Sequence, residues 1–156
     1  MPSSLPPVPP AAASSGSALG LLFRQVRDAM WARMERELAA SGHALNFSQF
    51  ITIKALAIGG PTGVTDLARL ADLNPGAMTR LLDKLEARGL LARSADPNDR
   101  RALNIDLTPA GLAIWQDIDQ CGQRVRERAL HGMDEATRIQ LTRLLEQVRD
   151  NLTSED

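Results

Sequence analysis

The chain has 156 residues, 44% of them hydrophobic, and its 18 basic and 19 acidic residues give a net charge of −1. This length and apolar content suit one domain with its own core. One cysteine excludes a disulfide framework and a four-cysteine zinc site. The balanced charge excludes a uniform polycation but allows a local basic surface. No apolar run approaches the ~18 residues of a membrane helix, and the N-terminus lacks the features of a secretory signal, so we expect a cytoplasmic protein.

The first segment, residues 1–17, is rich in Pro, Ala and Ser and holds five of the nine prolines. It has no charged side chain and no hydrophobic periodicity. Such a composition cannot form a packed core. We therefore predict a disordered tail over 1–17, followed by one domain over 18–152.

Apolar residues recur at spacings of three and four from Ala18, which predicts a helix over 18–40. Asn46 then starts a second helix, with Gln49 placed to complete a capping box. Gly59-Gly60-Pro61 ends that helix.

A pair of helices follows at once. The first is short, over residues 64–71, and should turn Leu67 and Leu70 inward. Asn74 and Pro75 open the second, as N-cap and first helical residue, and Gly89 closes it in a position that tolerates left-handed backbone. Two helices joined by so short a turn form a helix-turn-helix.

The pattern predicts two strands, over residues 90–94 and 102–107, separated by a segment rich in turn-forming residues. In the second strand, Leu103, Ile105 and Leu107 alternate onto one face. Thr108-Pro109 begins a further helix, and Asp134 caps the last one. The fold class is therefore mainly α (α+β): a winged helix-turn-helix with a two-stranded wing, and helices before and after it.

The outer face of the second helix of the pair carries small, polar and basic residues. Arg80, Lys84 and Arg88 follow at spacings of four and form one cationic row. The N-terminal part of such a helix reads the major groove, so Thr79 and Arg80 are candidates for base contacts. Arg100 and Arg101 at the hairpin tip suit the minor groove, with Asp99 bracing the Arg101 side chain. The predicted DNA-binding residues are Gly76, Ala77, Thr79, Arg80, Lys84, Asp99, Arg100 and Arg101.

Several spaced motifs resemble the MarR family of bacterial transcriptional regulators. They are Thr65-Asp66-Leu67-Ala68, the run over residues 79–90, and residues 96–101 followed by Leu107-Thr108-Pro109-Ala110-Gly111. Asp99, Arg101 and Gly111 match the family's wing signature. The resemblance covers about residues 18–152.

The resemblance implies a homodimer that binds double-stranded DNA and usually represses transcription. Its dimerisation helices would be residues 18–40 and 110–152, and its DNA-binding lobe residues 46–108. A twofold dimer presents two reading helices about 34 Å apart, which suits a palindromic operator.

The resemblance also implies that a small aromatic acid releases the DNA, from a pocket between the dimer helices and the lobe. On this chain, the residues that fall there are Trp31, His43, Ser48, Phe50 and Trp115, and Arg24, Arg27 or Arg33 could supply a cation for the acid. We predict no metal and no cofactor, because two histidines and one cysteine show no ligand spacing.

Other functions stay open at this stage. Cys121 could sense oxidants, but it lies on an apolar helical stripe, where cysteine is usually inert packing. A winged helix can also dock proteins without binding DNA. An enzyme is disfavoured, because the sequence has no HExxH, phosphate-binding glycine loop or GxSxG motif.

Overall fold

The computed structural model describes residues 15–154. The chain forms α1 (Ser15–Ala40), α2 (Phe47–Gly59), β1 (Thr62–Gly63), α3 (Val64–Leu70), α4 (Pro75–Ala87), β2 (Leu91–Ala95), β3 (Leu103–Leu107), α5 (Pro109–Ala129) and α6 (Glu135–Thr153). The predicted winged helix-turn-helix with flanking helices is confirmed. The first helix begins at Ser15, three residues before the expected Ala18. Residues 1–14 of the predicted tail lie outside the described residues.

Side-chain caps start the helices where the sequence predicts them. Asn46 Oδ1 accepts a hydrogen bond from the Gln49 amide at 2.8 Å, and the Asn46 amide donates to Gln49 Oε1 at 3.1 Å. Asn74 Oδ1 accepts from the Ala77 amide at 2.8 Å and begins α4 in front of Pro75. Gly89, at φ +74°, then turns the chain from α4 towards β2. Local sequence therefore sets both ends of α4.

The sheet has three antiparallel strands in the order β1-β3-β2. The β2–β3 hairpin is the predicted wing, with Arg93 opposite Ile105. The sequence-based prediction of two strands missed β1, in which Thr62 pairs with Ile105 and Gly63 with Asn104. Two residues beside Gly60-Pro61 are too few to show an alternating pattern.

The core lies within the winged lobe, which we define as residues 46–108, and under α1 and α5. Ile53, Met78, Leu82, Ile105 and Ile118 have no exposed surface. Leu67 is buried as predicted.

The predicted inward position of Leu70 is wrong, and Leu103 is less buried than Ile105 and Leu107 of the same strand face. Leu70 is 58% exposed, because α3 is short and turns Ala68 and Ala71 towards the core beside Leu67. Leu103 is 49% exposed, because it pairs with Ala95 at the outer end of the wing.

The terminal helices contrast with this core. Helix α6 has no buried residue over its described length, and the apolar residues in the first half of α1 are exposed as well. Their exposed apolar side chains are Leu19, Leu21, Leu22, Phe23, Val26 and Met30 in α1, and Ile139, Leu144, Leu145 and Leu152 in α6. Within residues 15–154, no helix combines the length and the hydrophobicity needed to cross a bilayer.

Candidate nucleic-acid interface

Helix α4 presents a polar and basic outer face. Thr79, Arg80 and Lys84 are exposed there, and Ala77 is half-buried. The Thr79 hydroxyl donates to the Pro75 carbonyl at 2.9 Å, so its proton is used within the helix and only its lone pairs and methyl group face outward. Gly76 has no side chain, so a bulky partner can approach the backbone closely at the N-terminal end of this face.

The tip of the wing is an ordered loop between β2 and β3. Asp96 Oδ1 accepts from the Asn98 amide at 2.8 Å, and Asp99 Oδ1 accepts from the Arg101 amide at 2.9 Å. The predicted brace between Asp99 and the Arg101 side chain is therefore wrong. A short Asp side chain reaches the amide two residues on more easily than a long guanidinium, and forms an Asx turn. Asp99 shapes the loop and leaves Arg100 and Arg101 exposed.

Arg93 joins the wing to α4, and no pattern in the sequence singled it out. Its Nη2 donates to Asp83 Oδ1 at 2.8 Å and its Nη1 donates to Glu86 Oε1 at 2.9 Å. The pKa of Arg93 is raised, first by the hydrogen bond to Asp83. The wing strand β2 is thus fixed beside the outer face of α4.

The end of α4 is also tied to the start of α5. The Thr108 hydroxyl donates to the Gly89 carbonyl and accepts from the Gly111 amide at 3.1 Å. A Cβ added to Gly111 would lie 2.0 Å from the Leu90 carbonyl oxygen. This contact gives the glycine of the Leu107–Gly111 motif a physical reason, since only glycine fits where α5 passes the Leu90 carbonyl just before β2.

A separate, mostly apolar cleft of about 480 Å³ lies between α1, α2 and α5. Trp31 meets Phe47 edge to face, with ring centroids 5.0 Å apart, and lies 5.6 Å from Phe50. The Lys54 Nζ lies 5.9 Å from the Phe50 ring centroid. The cationic side chains along the cleft are Arg27, Lys54 and Arg126. An aromatic wall beside several cations can hold a flat anionic molecule.

Of the five predicted effector residues, the structure brings Trp31 and Phe50 into this cleft, and of the three candidate cations it brings Arg27 there. His43 Nε2 lies 3.0 Å from Asp117 Oδ2, and Trp115 packs against the core. Ser48 and Arg33 line two other depressions of the surface. Ser48 shares one with Arg80 and Lys84.

Arg33 lines another depression and pairs with Glu37 at 3.0 Å. Sequence reasoning missed Phe47 and Lys54. Their one available signal was the spacing of Phe47, Phe50 and Lys54 at three and four along α2.

Cys121 lies on the inner side of α5. It is fully buried, with Sγ 3.3 Å from Ser41 Oγ and 3.2 Å from Arg124 Nη2. Arg124 Nε also donates to Glu37 Oε2 at 2.7 Å, and this bond is the first cause of the lowered pKa of Glu37. These contacts join α1 to α5.

The fold and this surface define a winged helix-turn-helix protein, and comparisons with known proteins show which regulators it is similar to. The family model described as "MarR family" matches residues 45–103. The chain is 27% identical to the transcriptional repressor NicR of Pseudomonas putida over 103 residues, which are 66% of this chain and 65% of NicR. The chain therefore spans slightly less than two thirds of that relative, and it spans about half of the MarR protein of Salmonella typhimurium.

Two solved structures extend the likeness over most of the chain. One is Bordetella bronchiseptica BpsR, described for regulation of its DNA binding by 6-hydroxynicotinic acid. It is 26% identical, with a TM-score of 0.70 over 85% of this chain and 98% of BpsR. The other is a cysteine-to-serine mutant of MarR from E. coli complexed with operator DNA. It is 25% identical, with a TM-score of 0.70 over 83% of this chain and 92% of that one. By sequence and by structure, the chain is therefore similar to MarR-family regulators.

Proposed function

We propose that the protein is a sequence-specific DNA-binding transcriptional regulator that acts as a repressor. The observation that carries this proposal is the pairing of two exposed basic elements in one lobe. The outer face of α4 offers Arg80 and Lys84, and the wing that lies beside it offers Arg100 and Arg101. An α-helix fits the major groove, and arginines fit the negative potential of a narrow minor groove. NicR is named as a repressor, and E. coli MarR is solved on operator DNA.

The working form in this proposal is a homodimer. Helix α6 buries none of its described residues, and the apolar side chains of α1 between Leu19 and Met30 are exposed. Exposed apolar side chains in this number mark an interface. A second copy would cover it with the same residues, and its twofold axis would direct two lobes towards a palindromic operator.

The cleft beside Trp31 is the proposed effector site, and a small aromatic acid is the proposed ligand. Trp31, Phe47 and Phe50 supply flat apolar walls, and Lys54 supplies a cation for the carboxylate. BpsR responds to a molecule of this kind. Such a ligand releases DNA only if it binds the DNA-free arrangement more tightly than the DNA-bound one.

DNA binding is tested by a mobility-shift titration with a duplex from the region upstream of the gene. The wild-type chain should shift the duplex, and its affinity should fall steeply with salt because bound phosphates release counterions. Arg101→Ala should weaken binding by about 1–3 kcal/mol. Arg149→Ala is the matched control, since it removes one exposed arginine from α6. A wild-type chain that shifts no duplex would instead support a winged helix that docks proteins.

The effector site is tested by adding benzoate, nicotinate or 6-hydroxynicotinate to the preformed complex. At least one should release the DNA from the wild-type chain. Lys54→Ala should reduce this response about tenfold or more, since a charge-assisted contact is lost. Arg33→Ala, which removes a cation outside the cleft, should respond like the wild type. The reverse pattern would move the site to Arg33 and refute the assignment to this cleft.

A further inference from the structure

The outer face of α4 contains an electrostatic conflict. Asp83 and Glu86 alternate in the sequence with Arg80, Lys84 and Arg88, but they lie on the side of α4 that faces Arg93 of β2, and all five side chains are exposed. The two carboxylates flank the cationic row and offset two of its three charges. A carboxylate near a DNA phosphate repels it, so the helix alone is a weak match for a polyanion.

Arg93 resolves this conflict from outside the helix. It comes from β2, keeps only 24% of its side chain exposed, and donates one hydrogen bond to each carboxylate. The planar guanidinium can reach both acceptors at once, whereas a lysine ammonium offers a single point of charge. The pairs are partly exposed, so their contribution to folding is small. Their effect on the charge of this side of α4 is larger, because the positive charge of Arg93 offsets one of the two negative charges and its hydrogen bonds occupy an oxygen of each carboxylate.

We propose that Arg93 is a positioning residue that masks Asp83 and Glu86 and thereby sets the affinity of α4 for the DNA backbone. This role rests on the proposed DNA binding. Arg93 itself lies on β2, beside the outer face of α4, and acts through the two carboxylates. The basic outer face is consequently a joint product of α4 and the wing strand, and the helix does not provide it alone.

The test uses full-length protein and fluorescence anisotropy with the labelled upstream duplex over a range of salt concentrations. Arg93→Ala should weaken binding by about tenfold at low salt, and the loss should shrink as salt screens the exposed carboxylates. Adding Asp83→Asn and Glu86→Gln to Arg93→Ala should restore affinity to within about twofold of the wild type. Arg149→Ala, which frees the carboxylate of Asp150 on α6, is the control and should leave the affinity unchanged.

Each outcome decides the proposal. Full affinity in Arg93→Ala, or no recovery in the triple variant, would show that masking does not act. If Arg93→Ala unfolds, Asp83→Asn with Glu86→Gln in the presence of Arg93 replaces it. Masking predicts that this double variant binds at least as tightly as the wild type, and weaker binding overturns the idea. A wild-type chain that binds no duplex would overturn the proposed DNA binding itself. The failure of the proposed function is thus distinguished from a failure of masking by Arg93, in which the wild type binds.

Discussion

Most leucines of the winged lobe are buried, whereas most leucines of the terminal helices are exposed. In the lobe, Leu82 and Leu85 on α4 have no exposed surface, and α3 and β2 pack against this helix. On α6, Leu141, Leu144 and Leu145 recur at the helical spacings of three and four, but Leu144 and Leu145 are 52% and 44% exposed. The lobe completes a core within one chain, whereas the first part of α1 and all of α6 carry apolar side chains that residues 15–154 leave exposed. The same amphipathic pattern therefore encodes folding in one region and, in our proposal, association in the other.

The largest expected effect concerns the close packing of the lobe. Gly111→Ala should destabilise the protein by at least about 3 kcal/mol, because its Cβ would overlap the Leu90 carbonyl and force the backbone apart. Chemical denaturation monitored by circular dichroism measures this loss. Gly59→Ala is the control, since a Cβ at that helical position meets nothing within 4 Å. Equal stabilities of the two variants would show that the lobe tolerates looser packing than its geometry indicates.

The next effect should appear only in the terminal helices. Replacing Leu144 and Leu145 by Asp should weaken dimer association by at least about 100-fold, because charges would enter an apolar interface. The thermal unfolding of the lobe core should change little. Analytical ultracentrifugation measures the association. Gln147→Glu, off the apolar stripe, is the control. A double Asp variant that stays dimeric at wild-type concentrations would place the interface elsewhere.

The smallest effect concerns the link between α1 and α5. Because Arg124 and Arg33 lower the pKa of Glu37, its carboxylate adds stability that is complete above the ordinary pKa of about 4.5. This stability is lost as the pH falls through the lowered pKa of the folded state. The melting temperature of Glu37→Gln should thus lie below that of the wild type near neutral pH and approach it in acid. Thermal scans at several pH values measure this, with exposed Glu127→Gln as the control. If the difference in melting temperature between the two proteins does not change with pH, the ion pair is excluded as its cause.

Local signals made most of the fold predictable. Asn46, Asn74, Thr108 and Asp134 each have a side chain that satisfies a free amide in the first turn, and such caps are visible in sequence. The outer face of α4 was equally visible, because helical periodicity alone separates Arg80 and Lys84 from the leucines.

The features that escaped prediction depend on contacts across the chain. Strand β1 is defined by its pairing with Ile105 and Asn104, and its own two residues carry no pattern. Arg93 gains its role from carboxylates seven and ten positions earlier. The predicted effector residues lie in different places because the sequence does not show how the helices cross. The crossing decides which face of α1 or α2 borders a cleft.

The short strand β1 has a mechanical consequence. It is hydrogen-bonded to β3 and leads directly into α3, while β3 also carries the wing. The helix pair and the hairpin are thereby fastened to one shared strand. In the proposed dimer, a ligand bound near Trp31 would therefore move the helix pair and the wing of each protomer as one rigid unit. The ligand would change the distance between the two units and leave the shape of each unchanged.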